Sequence, residues 1–107
     1  MTTAPKAEIL LLSQMAAYQE GSVVSRQITK EQAGNVTLFA FDAGQELSEH
    51  ISPFDALVQI LDGEADVFIS GQPFHLVNGQ AIILPAGKPH ALQAPQKFKM
   101  LLTMIRA

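Results

Sequence analysis

Short runs of β-branched and aromatic residues alternate with turn residues along most of this 107-residue chain. Such runs favour extended strands, whereas Gly, Asn, Asp and Pro suit the backbone angles of tight turns. Two dipeptides, Asp62 with Gly63 and Asn78 with Gly79, have the composition of two-residue hairpin turns. Many short strands at regular spacing are typical of sandwiches and barrels, so the pattern predicts an all-β fold.

The pattern predicts about nine strands in a single domain over residues 1–107. The strands are expected at residues 23–28, 36–41, 45–51, 56–61, 65–69, 74–77, 81–84, 90–94 and 98–105. Residues 1–20 form an N-terminal segment, expected to be a short helix or a strand exchanged between two copies. Its apolar stretch ends at Ser13 and is too short for a secretory signal, so we expect a cytoplasmic protein.

Composition excludes several function classes. The net charge is -3 and no run of Lys or Arg occurs, so a basic face for nucleic acid or a membrane is not expected. The absence of cysteine excludes disulfides, thiolate metal sites and iron–sulfur clusters. Neither the Gly-x-Ser-x-Gly nucleophile motif nor a phosphate-binding glycine loop is present.

Two glycine-punctuated segments carry histidine at fixed offsets. The first contains Gly44, His50 and Gly63, and the second contains Gly79, Pro85, Gly87 and His90. These offsets resemble the two motifs of the cupin superfamily, in particular the small single-domain cupins of the cupin 2 conserved-barrel type. The resemblance implies a double-stranded β-helix, which is a jelly-roll barrel.

The resemblance also implies a metal centre, and here the chain departs from the family. In metal-binding cupins, three His and one Glu hold a divalent metal ion inside the barrel. This chain has Ser52 at the second His position and Ala56 at the Glu position, so His50 and His90 remain as metal ligands. Two imidazoles without a firm carboxylate make a weak, unselective site. We therefore expect a divalent ion (Fe, Zn, Ni, Mn or Cu) at low occupancy or none.

Asp55 is the best spare carboxylate, because it adjoins the lost Glu position near the bend at Pro53. Glu46 shares strand parity with His50 but lies four residues away, too far along an extended strand to share one ion without a bulge. His75 is predicted to face outward from its strand.

The predicted barrel lining is apolar with few polar groups. The residues expected to line a ligand pocket are Ser52, Val58, Ile60, Leu92 and Met100. Other inward positions are Val67, Ile69, Ile83 and Phe39 or Phe41. Met104 shares an alternating stripe with Met100; core packing is the expected role, and a flexible thioether also suits an apolar pocket. Such a lining suits a small, mostly apolar ligand, because no Lys or Arg has an obvious inward position.

The side chains at the alternate positions of the same strands, which face away from the interior, are also apolar. These positions carry Leu57, Leu61, Phe68, Leu101 and Ile105. A solvated face would be more polar, so we expect this face to be covered, most simply by a second subunit in a homodimer. The resemblance points the same way, since many small cupins dimerise.

Three functions are compatible with the sequence, and the weakest is a stable dimeric barrel with no ligand of its own. The first is a small-molecule-binding barrel with an apolar internal pocket, with or without a divalent ion on His50 and His90. The alternative is a metal-dependent enzyme of the isomerase or dioxygenase type acting on a small organic substrate. The replacements at Ser52 and Ala56 favour binding over catalysis, and the sequence leaves the ligand and any reaction open.

Overall fold

The computed structural model describes residues 3–106. After a 3₁₀ turn at Leu12–Gln14, eight strands follow in this order: β1 (Val23–Glu31), β2 (Gly34–Phe41), β3 (Glu46–Ile51), β4 (Asp55–Ile69), β5 (Gln72–Val77), β6 (Ala81–Leu84), β7 (Pro89–Gln93) and β8 (Phe98–Ile105). All strand pairs are antiparallel. The predicted all-β barrel class is confirmed.

The strands form two sheets that share β4. In the first sheet, the order is β1-β2-β8-β4-β6, and in the second it is β3-β7-β4-β5. The first half of β4 pairs with β8 and β6, and its second half pairs with β7 and β5. One long strand thus joins the sheets, and their inner faces enclose the interior.

A bulge in the middle of β4 allows the strand to pass between the sheets. The register with β8 shifts between Ile60 and Asp62. Gly63 has a φ of +74°, and a Cβ there would collide with the Lys97 carbonyl oxygen. Before the bulge, the even-numbered residues Val58 and Ile60 face inward. After the bulge, the odd-numbered residues 65 and 67 face inward. The hairpin predicted at Asp62 and Gly63 is therefore wrong, because the dipeptide supplies its positive φ to a bulge.

A tight hairpin lies eight residues further along the chain, at Ser70 and Gly71. Their φ angles are +50° and +80°, and Ile69 pairs with Gln72. Two positive φ angles are what a type I′ hairpin turn requires. The hairpin predicted at Asn78 and Gly79 is wrong, because β5 and β6 do not pair with each other but lie end to end along β4.

The inner faces of the two sheets pack into one apolar core. Phe41 and Phe98 stack at its centre with ring centroids 4.4 Å apart. One inward prediction is wrong: Ile83 is 61% exposed, whereas Leu84 is buried. The register explains this, because Leu84 lies opposite the inward-facing Ala56 and directly paired residues share a face of the sheet.

The N-terminal segment covers part of the outer face of the first sheet. Ala16 is buried against Leu38 and Ala40 of β2, and Leu61 and Leu101 pack around the same cluster. For these two leucines, the expected cover by a second subunit is replaced by cover from the same chain. Two side-chain hydrogen bonds help to fasten the segment to the sheet. The Tyr18 hydroxyl donates to Asp62 at 2.5 Å, and Lys99 Nζ donates to the Ser13 carbonyl at 2.6 Å.

Other parts of the outer face stay open in the single chain. Ile105 is exposed and Leu57 is half-buried, and Ile83 lies directly opposite Leu57. Exchange of the N-terminal segment and homodimer formation both stay predictions. Within residues 3–106, no helix has the length and apolar character needed to cross a membrane.

Candidate functional site

His50 and His90 meet across the β3–β7 pair. The two residues lie directly opposite each other in the register, so both side chains project from the same face of the sheet. Their Nε2 atoms are 3.0 Å apart, and the ring planes are inclined by 72°. His90 is 4% exposed, whereas His50 lies at the rim and is exposed. The barrel thus brings together two imidazoles that are forty residues apart in the chain.

The hydrogen bonds fix the tautomers of the neutral pair. His50 Nδ1 lies 2.8 Å from the Ser48 carbonyl oxygen, which can only accept, so His50 Nδ1–H donates. The Nε2 atom of His50 then carries a lone pair and accepts from His90 Nε2–H. This leaves His90 Nδ1 unprotonated, and among residues 3–106 it has no hydrogen-bond partner although it is buried.

The environment of His90 disfavours the charged form of its ring. Burial lowers the pKa of His90 below its usual value, and the neighbouring His50 lowers it further. The Lys88 backbone acts in the opposite direction, but it does not reach hydrogen-bond geometry with the buried Nδ1. The His90 ring is therefore neutral near pH 7 and presents a nitrogen lone pair rather than a positive charge.

A small cavity opens beside the two histidines. It has about 80 Å³ of space open to the centres of water molecules. Its lining is Leu47, His50, Ser52, Ala56, Leu84, His90, Leu92, Met100, Leu102 and Met104. Seven of these ten residues are apolar with no nitrogen or oxygen in the side chain, and none of the ten is Asp, Glu, Lys or Arg. The cavity suits a small apolar group with one polar end.

Ser52 replaces an imidazole by a small hydroxyl that already has a local role. Its Oγ accepts from the Phe54 backbone N–H at 3.1 Å, and its carbonyl accepts from Gly87 N–H at 2.8 Å. These bonds hold the β3–β4 connection against the β6–β7 loop, which carries the chain to His90. Ser52 therefore lines the cavity while its hydrogen bonds serve the scaffold.

Three of the five predicted pocket residues line this cavity, namely Ser52, Leu92 and Met100. Val58 and Ile60 lie in the buried core instead. Sequence reasoning did not select Leu47, Ala56 and Leu84 as lining residues. Motif spacing marks Ala56 only as the position of the family's Glu, and nothing local marks Leu47 and Leu84, because their position depends on pairing between distant strands. Met104 lies opposite Ala56, so the register brings this thioether beside the lost Glu position.

Asp55, the predicted spare carboxylate, is engaged outside the cavity. Its Oδ1 accepts from the Ala86 backbone N–H at 2.8 Å and so braces the β6–β7 loop. Within the described chain, no three His, Cys, Asp or Glu side chains come together to hold a metal ion. The separation of the two Nε2 atoms nevertheless suits chelation, since nitrogens bound cis to one octahedral ion at about 2.1 Å lie about 3.0 Å apart. The donor set does not fit the divalent ion of the family, because it lacks a carboxylate and a third imidazole.

His75 occupies a contrasting environment on the outer face of the second sheet, and its outward direction agrees with the prediction. Its Nδ1 lies 2.7 Å from an Asp66 carboxylate oxygen, and its Nε2 lies 3.2 Å from Glu64. Hydrogen bonding to Asp66 and then to Glu64 raises the pKa of His75 above its usual value. This ring is exposed and forms a surface ion pair when protonated.

A curled antiparallel barrel with paired histidines facing its interior defines a small protein of the jelly-roll class. Residues 37–106 match the family model described as "Cupin domain". The chain belongs to the cupin family.

Solved structures of similar chains support the same assignment. A conserved protein of unknown function from Streptococcus pyogenes is 36% identical with a TM-score of 0.91, covering 100% of this chain and 96% of that one. A cupin superfamily protein from Desulfitobacterium hafniense is 31% identical with a TM-score of 0.88, covering 99% of this chain and 97% of that one. A cupin 2 conserved barrel domain protein from Leptotrichia buccalis is 37% identical with a TM-score of 0.85, covering 88% of this chain and 46% of that one. No match was found among curated proteins.

Proposed function

We propose that this cupin is a small-molecule-binding barrel. The observation that carries the proposal is a cavity with an almost wholly apolar lining and one polar corner, formed by His50 and His90. A ligand hydroxyl that replaces the hydrogen bond between the two rings accepts from His90 Nε2–H and donates to His50 Nε2, which is enough to orient a ligand with a single polar group.

The size and charge of the cavity define the ligand class. A water molecule needs roughly 15 Å³ on the same measure, so about 80 Å³ accommodates a ligand of a few heavy atoms. No Lys or Arg lines the cavity in the described part of the chain, so a phosphorylated or multiply charged molecule would be buried without compensation. The ligand is therefore small and mostly apolar, with one hydroxyl, carbonyl or carboxyl group.

A metal-dependent enzyme is the second candidate, of the isomerase or dioxygenase type. The observation that favours it is the 3.0 Å separation of the two Nε2 atoms, which suits chelation of one ion. Elemental analysis of protein purified without chelator or affinity tag distinguishes the candidates. Near-stoichiometric divalent metal that is lost in both His50→Ala and His90→Ala would favour the enzyme.

Binding is tested by NMR titration of the ¹⁵N-labelled protein with phenol, butanoate and 1-butanol. We expect saturable shifts at Leu92 and His90 with at least one probe, and loss of these shifts in His90→Ala. Ala56→Leu is expected to fill the cavity and block binding while leaving the histidines intact. His75→Ala is the matched control, since it removes an imidazole outside the cavity and should bind like the parent. Unchanged shifts in both His90→Ala and Ala56→Leu would overturn the proposal.

We further propose that two copies associate through the open outer face of the first sheet. The support is the apolar character of Ile83, Leu57 and Ile105, which remain accessible in the single chain. Sedimentation at micromolar concentration should give a dimer that Ile83→Lys dissociates, and a monomeric parent protein would contradict this. The cytoplasmic location stays a prediction from the sequence.

A further inference from the structure

Two thioether side chains share the cavity with the histidine pair. Met100 is completely buried, and Met104 lies half-buried on the same inward parity of β8. Both line the cavity together with His50 and His90. Four side chains with soft or intermediate metal-ligand atoms therefore line one space of about 80 Å³. A Met side chain has three rotatable bonds, so its sulfur can be reoriented.

We infer that this corner of the barrel is a site for a soft monovalent metal ion, copper(I), held by the Nε2 atoms of His50 and His90 and by thioether sulfur from Met100 or Met104. The inference rests on the proposed function, because it takes the same cavity as the binding site. It goes further by naming an ion that the family's divalent ligand set does not describe.

The lack of charge on the ligand atoms favours a monovalent ion. Both imidazoles and both thioethers are neutral ligands, and no carboxylate lines the cavity within residues 3–106. The cost of transferring an ion into a low-dielectric interior scales with the square of its charge, so a divalent ion would cost about four times as much as a monovalent one. With no anionic ligand to offset that cost, the cavity favours the monovalent ion.

The chemical softness of the ligand atoms also favours copper(I). Thioether sulfur selects copper(I), and imidazole is also a suitable ligand for copper. Mg²⁺, Ca²⁺ and Mn²⁺ favour oxygen ligands, and non-haem iron requires a carboxylate beside two histidines. The lining residues include no carboxylate, because Ala56 stands at the Glu position, and their one side-chain oxygen is the neutral hydroxyl of Ser52, which also accepts from Phe54 N–H.

The proton positions of the pair are compatible with such a complex. The Nε2 atom of His50 already carries no proton, because the ring proton is on Nδ1 and donates to the Ser48 carbonyl. His90 must move one proton from Nε2 to Nδ1, which is the atom now without a partner. The ring stays neutral in this change of tautomer, and copper(I) binds without any redox step.

Anaerobic titration with copper(I) in competition with bicinchoninate tests the inference. We expect one equivalent per chain, bound at least tenfold more tightly than Zn²⁺ is bound in a parallel competition. The double variant Met100→Leu with Met104→Leu keeps side-chain volume and apolar character but removes both sulfurs, so copper(I) affinity should fall at least tenfold. Met15→Leu is the matched control, since Met15 packs against the outer cluster, and it should bind like the parent.

The possible outcomes separate this inference from the proposed function. X-ray absorption of the loaded protein should show sulfur beside nitrogen around copper, and a nitrogen-only shell would overturn the inference. Equal copper(I) affinity in the parent and in a double variant with a native circular dichroism spectrum would also overturn it. If copper(I) is not retained but phenol, butanoate or 1-butanol still shifts Leu92, the inference fails alone. If neither copper(I) nor any of the three probes binds, the proposed function fails as well.

Discussion

The interior histidine pair and the surface histidine show how neighbours decide what an imidazole does. His90 is buried, faces His50 at 3.0 Å and has a lowered pKa, so its ring is neutral. His75 is exposed between Asp66 and Glu64 and has a raised pKa, because the two carboxylates favour the cationic form of its ring. The surface ring uses both nitrogens on carboxylates, whereas the cavity pair bonds to Ser48 and within itself and leaves His90 Nδ1 without a partner in the described chain.

The difference lies in the placement of carboxylates rather than of histidines. Acidic side chains lie beside His75 on the outer face, but the cavity lining contains none in the described part of the chain. A pair of imidazoles beside an apolar cavity suits a ligand, while a surface ion pair contributes little beyond local charge compensation. A change at either histidine site can be compared with the other site as a reference.

Restoring the family's ligands should give the largest effect. Ser52→His combined with Ala56→Glu adds an imidazole and a carboxylate beside His50 and His90. We expect affinity for Zn²⁺ or Ni²⁺ to rise at least about 100-fold, because a four-ligand site replaces a two-ligand one. Isothermal titration calorimetry measures this. The single variant Ala56→Glu is the control, and no gain in the folded double variant would show that the barrel does not position these residues around one ion.

Replacing the interior ring by an apolar side chain should separate stability from binding. His90→Leu removes a buried nitrogen without a partner, so we expect the free energy of unfolding to stay level or rise by up to about 1 kcal/mol. Phenol, butanoate and 1-butanol should no longer bind. Urea denaturation gives the stability, with His75→Leu as the surface counterpart. A loss of several kcal/mol in His90→Leu would mean that the pair is part of the scaffold.

The pH dependence of stability should have opposite signs in the two regions. Because the folded pKa of His75 is raised, its contribution is fully present below pH ~6.5 and is lost as pH rises through the folded pKa. Because the folded pKa of His90 is lowered, its contribution is present above pH ~6.5 and is lost as pH falls through the folded pKa. Urea unfolding from pH 5 to 9 should show His75→Gln converging with the parent at high pH. Curves that stay parallel over this range would contradict the assignment.

Much of the fold can be predicted from local sequence, and the errors have physical reasons. Runs of β-branched residues predict most strands, because the alternation of side chains is a local property. Asp62 and Gly63 are misleading, since a bulge and a hairpin both use a positive φ. The cover over Leu61 and Leu101 depends on the N-terminal segment folding back, which no local pattern encodes.

The site is predictable only where motif spacing carries it. The offsets that end in His50 and His90 are a property of the amino-acid sequence, and they are sufficient to indicate the pair. The tautomers and the unpartnered Nδ1 depend on contacts with Ser48 and on burial, which spacing cannot give. The presence of Met104 in the cavity follows from its pairing with Ala56, and that register is a property of the assembled sheet.

Long-range ¹H–¹⁵N NMR of the imidazole rings across pH tests the central claim most directly, because it reports both tautomer and pKa for each histidine. We expect His50 to carry its proton on Nδ1 and His90 on Nε2, with His90 titrating below pH ~6.5 and His75 above it. A His90 ring that is protonated at neutral pH, or one that titrates like the His75 ring, would contradict the account of a neutral His90 beside a ligand cavity.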